Sequence, residues 1–231
     1  DNIEAPSNVI ANWLEDEQPR TRMARYGAVQ MPTAELLALC LSSGLLGENA
    51  VLLSQCLFQQ FGGVQALLSA PIQQTMSVRG MGPAKAARLK AIHELSVRET
   101  EAQLKRSQSF GEPAAVATFL RKRLGHLGHE AFGYLFLNAK NEHIAFEILF
   151  RGSTDRTHVH AREVLKRGLE LNAAALIVCH NHPSGNSEPS QADIGLTRSL
   201  CDLLEKVEIR LLDHVVVSTN TWVSLQLRCL L

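Results

Sequence analysis

Two histidines one residue apart, His180 and His182, are followed by the turn formers Pro183-Ser184-Gly185 and then by Ser190 and Asp193. Two imidazoles and a carboxylate are donors suited to a catalytic zinc, which takes three protein ligands and keeps a fourth tetrahedral position for water. With a single residue between them, both rings can face one point if the backbone is extended there. The apolar run Ala173-Ala174-Ala175-Leu176-Ile177-Val178 comes directly before them and predicts a short strand buried on both faces. The pair therefore sits at the carboxyl end of a strand, where α/β sheets tend to bind ligands. Ser190 and Asp193 also read as a helix start, the hydroxyl capping the helix and the carboxylate suiting its dipole. The two readings are compatible, because a cap holds its side chain rigidly. The plain alternative for the cluster is a polar loop with two surface histidines.

Hydrolysis at such a centre needs a carboxylate to take the proton of the water, whose pKa zinc lowers towards ~7. Glu130, Glu147 and Glu163 are candidates, and spacing alone does not choose among them. Glu147 falls mid-strand and Glu163 opens a helix, where a carboxylate is favourable in any case. A second histidine pair, His158 and His160, lacks a following carboxylate at ligand spacing and reads as loop or outer-sphere residues. Asp213-His214 reads as a polar pair at a strand end, with a hydrogen bond orienting a zinc ligand as the alternative. Cys179 reads as a core thiol. The letters HNH at 180–182 also name a nuclease class, but those sites spread their residues over a long ββα unit, so the coincidence carries no weight.

The elements that must position these residues fall into two parts. Residues 34–105 read as helical throughout, with Leu36, Leu37, Leu41 and Leu45 at helical spacing, then Val51, Leu52, Gln55 and Phe58. Residues 132–138 and 143–150 read as a hairpin, 161–172 as a helix with Val164, Leu165 and Leu169 in its stripe, and 173–179 as a central strand. A helix over 191–207 should turn Ile194, Leu196, Leu200, Leu203 and Leu204 inward, and 209–218 and 222–227 close as strands. The predicted organisation is a helical domain over 1–106, a linker at 107–113 and an α/β domain over 114–231, a mixed α+β and α/β chain.

Between residues 78 and 95, Gly80-Met81-Gly82 forms a tight turn before Pro83 opens an Ala-rich helix. Such a turn can bring backbone N–H groups and a helix dipole to a phosphate. Arg79, Gly80, Gly82, Lys85, Arg88 and Lys90 are the candidate DNA-backbone contacts, against the alternative of a plain interhelical turn with a solvated basic face. From Arg79 to Arg106 seven basic residues face three acidic ones, a modest positive patch. Over all 231 residues, 23 Lys+Arg balance 23 Asp+Glu, so no global basic field announces nucleic acid. Five scattered cysteines without a CxxC pair point to a reducing compartment. No secretory signal or membrane span is visible, so a cytoplasmic location without membrane contact is expected. The sequence opens on Asp1 rather than Met, which leaves the native start open.

His180-x-His182, seven residues, Ser190, two residues, Asp193 resembles the JAMM motif of MPN-type metalloproteases. From about Pro32 to Leu227 the chain resembles the bacterial RadC-like branch, in "LELNAAALIVCHNHPSGNSEPSQADI" and "LLDHVVVS" above all. The resemblance implies an MPN-type, cytidine-deaminase-like α/β/α sandwich holding one Zn²⁺ per chain on His180, His182 and Asp193. It also implies Glu130 as general base and Ser190 as the group that steadies the tetrahedral intermediate. Residues 78–95 resemble a helix-hairpin-helix. The implied function is a zinc-dependent hydrolase acting on an unknown protein or peptide and associated with DNA in a repair or recombination setting. The alternative is a DNA-binding accessory or DNA-processing protein whose metal site is not a peptidase. A mobile-element helper without activity is a third option, and the complete ligand set argues against it. Ala161 stands where RadC-like chains usually carry proline, and "MPTAELLALCL" (31–41) departs from the family's usual helix start.

Overall fold

The computed structural model describes residues 10–44, 49–107, 110, 112–151 and 157–231. The chain divides into two compact units, residues 1–95 and 96–231. The first is helical: α1 (Pro19–Tyr26), α2 (Thr33–Leu41), α3 (Ala50–Phe61), α4 (Val64–Ser69), α5 (Ile72–Met76) and the start of α6 (Pro83–Ser107). Its core gathers Leu37, Leu41, Leu53, Leu57, Leu67, Met81 and Leu89. The face of α3 differs by a rotation from the predicted one. Ala50, Leu53, Ser54 and Leu57 point inward while Leu52 is exposed. Both stripes recur at helical spacing, and Ser54 can lie inside because its hydroxyl donates to the Ala50 carbonyl at 2.8 Å. Leu45 lies outside the described residues, and α1, ahead of residue 34, was not anticipated.

The two compact units part inside α6, ahead of the linker expected at 107–113, part of which lies outside the described residues. Helical periodicity continues through Leu95, but Val97 and Leu104 pack into the second unit's core with Phe110, so the end of α6 belongs there. That unit continues with α7 (Pro113–Leu124), β1 (Ala131–Leu137), β2 (His143–Arg151), α8 (Thr157–Glu170), β3 (Ala175–Asn181), α9 (Gln191–Glu205), β4 (Arg210–Val217) and β5 (Trp222–Ser224). Its sheet runs β2-β1-β3-β4-β5 and is antiparallel except for the parallel pair β3–β4, which α9 joins. Alternation along the strands feeds two cores. Leu135, Leu137, Ala175, Ile177, Cys179, Val215 and Val217 meet α6 and α7. Phe132, Tyr134, Phe136, Leu176 and Val178 meet Val164 of α8 and Leu196, Leu200 and Leu204 of α9. Helices thus cover both faces of one mixed sheet, the layering expected of the α/β domain.

Three local differences have simple causes. Leu169 of α8 is exposed, and Gly168 takes the inner position against Ile209. Ile194 and Leu203 flank the buried stripe of α9 and are only half-buried. β5 stops at Ser224 because that hydroxyl donates to Asp213 Oδ2 at 2.6 Å and accepts from the Leu227 N–H at 3.0 Å, which turns the chain.

His143, at the start of β2, stacks on Phe110 at 5.4 Å, and neither ring nitrogen has a hydrogen-bond partner among the described residues. Burial, with Lys105 adding and Glu101 opposing, lowers its pKa to about 4. The unfolded chain, with histidine near ~6.5, binds the extra proton first, so stability falls as pH drops from ~7 towards ~4. His143→Phe should remove up to about 3 kcal/mol of that acid-induced loss. Urea unfolding of both proteins between pH 7 and 4.5 checks this, and a difference that does not change with pH would refute it.

Candidate metal centre

β3 turns Leu176, Val178 and His180 towards α8 and α9, and His180 ends fully buried with its ring stacked on Phe132 at 4.6 Å. His182 lies just past the strand, tied to β4 by its N–H donating to the Val217 carbonyl at 2.9 Å. The chain then bends at Gly185, whose φ of 88° favours glycine. Ser190 caps α9. Its hydroxyl accepts from the Asp193 N–H at 3.1 Å, and its own N–H donates to Asp193 Oδ2 at 2.7 Å, a full capping box.

The donor atoms of the three ligand candidates converge. His180 Nε2 and His182 Nε2 lie 2.9 Å apart, His180 Nε2 and Asp193 Oδ1 3.3 Å, and His182 Nε2 and Asp193 Oδ2 3.6 Å. A tetrahedral ion with bonds of ~2.0–2.2 Å holds its ligand atoms roughly 3.3–3.6 Å apart. The cluster is close to that size, so this donor set fits a divalent ion. Glu130 joins it, the ligand-capable atoms of all four residues lying within 4.8 Å of one another. The Ser190 hydroxyl also donates to Asp193 Oδ2 at 2.6 Å, the oxygen on the His182 side, while Oδ1 faces His180.

Electrostatics follow from these contacts. Burial alone would raise the Asp193 pKa, but the facing His180 and His182 rings, whose positive forms favour the carboxylate, and the Ser190 hydroxyl outweigh it and hold the carboxyl far below the usual range. The hydrogen bond to Asp193 raises the His182 pKa against desolvation, with the Asn186 carbonyl and the Glu130 charge adding to the effect. His182 Nδ1 meets that carbonyl at 2.8 Å, where it can only donate, so in the neutral ring Nε2 keeps the lone pair.

Two polar residues with structural work at the site had no such role in the sequence reading. Asn181, between the two histidines, accepts from the Ala131 N–H at 2.8 Å and donates to the Leu127 and His129 carbonyls at 3.1 and 3.0 Å. It pins the loop that carries Glu130 to the strand that carries His180. Thr197 is buried in the apolar stripe of α9 and meets His214 at 2.6 Å. Its signal was legible: a polar residue one turn after Asp193, on the same helix face. Of the Asp213-His214 pair, His214 reaches His180 Nδ1 at 2.8 Å, whereas Asp213 binds Ser224 and the main chain of His214 and Gln226.

The remaining candidates lie elsewhere. Glu147 is in a bidentate pair with Arg167, and Glu163 is exposed on α8; neither joins the cluster. His158 and His160 fall in the first turns of α8 rather than a loop, and their side chains lie outside the described residues. Cys179 is buried and donates to the Gly133 carbonyl at 3.2 Å. In the helical unit, Gly80 has φ 89°, Gly82 precedes α6, and Arg79 is exposed. Lys85, Arg88 and Lys90 are turned to main-chain carbonyls. Lys85 binds those of Gly44 and Gly80, Arg88 that of Leu41, and Lys90 those of Leu68 and Ala70. Arg88 thereby caps the end of α2 and Lys90 that of α4, while Lys85 holds the turns after α2 and before α6, and desolvation lowers the pKa of both lysines.

Comparison with known proteins agrees with this architecture. Residues 110–230 match the model of the RadC-like JAB domain, and residues 10–87 match the UPF0758 N-terminal model. The chain is 46% identical to a UPF0758 protein of Azotobacter vinelandii over 94% of its own length and 96% of that protein's. A UPF0758 protein of Leptothrix cholodnii is 47% identical over 93% and 96% of the two chains. One of Pseudomonas fluorescens is 44% identical over 94% and 96%. With a mixed sheet between helices and a Glu-His-His-Asp cluster at the end of its central strand, this chain belongs to the RadC-like JAB domain family, joined to a UPF0758-type N-terminal region.

Proposed function

We propose that the protein is a zinc-dependent hydrolase of the JAMM metallopeptidase type, cleaving an amide bond in a protein or peptide. The observation that carries this reading is the convergence of His180, His182 and Asp193 at the spacing of a tetrahedral ion, with Glu130 beside them. A bound divalent ion would supply Lewis acidity and lower the pKa of a water at the site.

The chain's own groups divide the remaining work. Glu130, half-buried and held by the loop that Asn181 pins, takes a proton from that water and returns it to the leaving amine. Asp193 cannot share this task, because it is itself one of the proposed ligands and its Oδ2 already accepts from the Ser190 hydroxyl and N–H. Ser190 is exposed and rigidly capped, but its hydroxyl proton rests on Asp193 Oδ2. It must rotate towards substrate to stabilise an oxyanion. DNA association through residues 78–95 rests on Arg79 and the glycine turn, since Lys85, Arg88 and Lys90 have main-chain partners.

Elemental analysis should find about one zinc per chain, lost in His182→Ala. Glu130→Gln should keep the metal and lower turnover by about 10²–10⁴-fold on a peptide that the wild type cleaves. Full turnover in that variant would end the assignment. Because the His182 pKa is raised, protons should begin to compete with zinc above the ordinary histidine value of ~6.5, and affinity should fall as pH drops through that range. A chelator-competition titration between pH 8 and 5.5 reads it; affinity flat across that range would count against His182 as a ligand. A duplex-DNA titration against salt tests the alternative. Several phosphate contacts would give a steep loss of affinity, whereas weak binding with a shallow slope is expected here.

A further inference from the structure

A buried chain of polar side chains runs away from the candidate centre behind His180. His180 Nδ1 meets His214 Nε2 at 2.8 Å, and His214 Nδ1 meets Thr197 Oγ1 at 2.6 Å. Thr197 Oγ1 lies 2.6 Å from the Asp193 carbonyl. All three side chains are at most 1% exposed, so no bulk solvent completes or replaces these bonds. The chain leaves the Asp193 backbone, passes through α9 and β4, and returns to the first ligand on β3. It closes a ring through two of the three proposed ligand residues.

The protons in this chain are countable. The Asp193 carbonyl can only accept, so a hydrogen bond at that end takes the one hydroxyl proton of Thr197. Thr197 Oγ1 then accepts from His214 Nδ1–H. A neutral His214 has no second proton, so its Nε2 accepts from His180 Nδ1–H. His180 Nε2 is left with its lone pair, aimed at His182 Nε2 and Asp193 Oδ1. The reverse order, with every proton moved one bond along, puts a proton on His180 Nε2 and closes that atom to a cation.

We propose that His214, oriented by Thr197, is the positioning residue of the metal centre: it holds His180 as the Nδ1–H tautomer and so presents the Nε2 lone pair to the ion. Ligating histidines usually donate their second N–H to a carboxylate, a carbonyl or water. Here a second imidazole stands in that place, an acceptor that adds no charge to the buried site. The inference rests on the metal-centre reading above and adds the device that sets ligand orientation.

The test uses Zn²⁺ alone. Chelator competition gives its affinity for the wild type, His214→Leu, His214→Gln and Thr197→Val, with thermal melts establishing that each variant is folded. His214→Leu removes the acceptor and should weaken zinc by about 10–100-fold. His214→Gln, whose amide oxygen can accept the same bond, should recover most of that loss. Thr197→Val should weaken binding less than His214→Leu. In ¹⁵N-labelled, zinc-loaded wild type, the His180 proton should sit on Nδ1 and show scalar coupling across the hydrogen bond to His214 Nε2. A folded His214→Leu with wild-type affinity overturns the proposal. So does a zinc-loaded His180 whose Nδ1 carries no proton, a measurement that decides the matter even if the variants fail to fold. Wild-type protein that binds no zinc overturns the hydrolase reading and this inference together, whereas zinc binding indifferent to position 214 overturns this inference alone.

Discussion

Two neutral imidazoles cannot point their lone pairs at one another from 2.9 Å without something positive between them. Either a proton is shared or a cation occupies the gap, and the neighbouring groups limit which is available. His182 is bound through Nδ1 to a backbone carbonyl, which commits its proton there, and the Asp193 carboxylate completes a small anionic pocket. An ionised, nearly dry carboxylate beside two facing nitrogens is costly in isolation. A divalent ion answers all three groups at once. The candidate site is therefore a set of constraints that a divalent ion would relieve.

The fold supplies these constraints through strand alternation. His180 lies on the α9 face of β3, where the side chains that orient it are also buried, while Asn181 is free to hold the Glu130 loop. Parallel pairing sets Val178 opposite His214 and His180 opposite Val216, which brings His214 near His180 on the same face. The capping box of α9 then fixes Asp193 from a third direction. A one-residue slip of β3 would send His180 to the α7 side and break the set, so packing of both cores also holds the chemistry in register.

Local pattern made the candidate ligands legible. His180, His182, Ser190 and Asp193 fall within a short segment whose strand end and helix start can be read residue by residue. The hairpin and the central strand were legible for the same reason, because their alternation is dense. Glu130 was not selected by pattern, since its closeness to the histidines depends on pairing between β1 and β3; the family resemblance singled it out. The bond of His214 to His180 was open in the sequence for a related reason: it needs the register of two distant strands. The inward face of α3 was misread because two stripes are nearly equally apolar. The basic residues after the glycine turn show the limit of charge patterns. A lysine near a phosphate-binding motif and a lysine capping a neighbouring helix look alike until the carbonyls are placed.

The same alternation that exposes His180 to the centre turns the adjacent Cys179 away, into the core against α7, where burial pushes its thiol pKa up and suppresses the thiolate. The proposed donors are all nitrogen and oxygen. A peroxide that disables thiolate-bound zinc sites would find neither a sulfur ligand to oxidise nor a reactive neighbour here. The placement of one side chain thus keeps sulfur out of the candidate cluster.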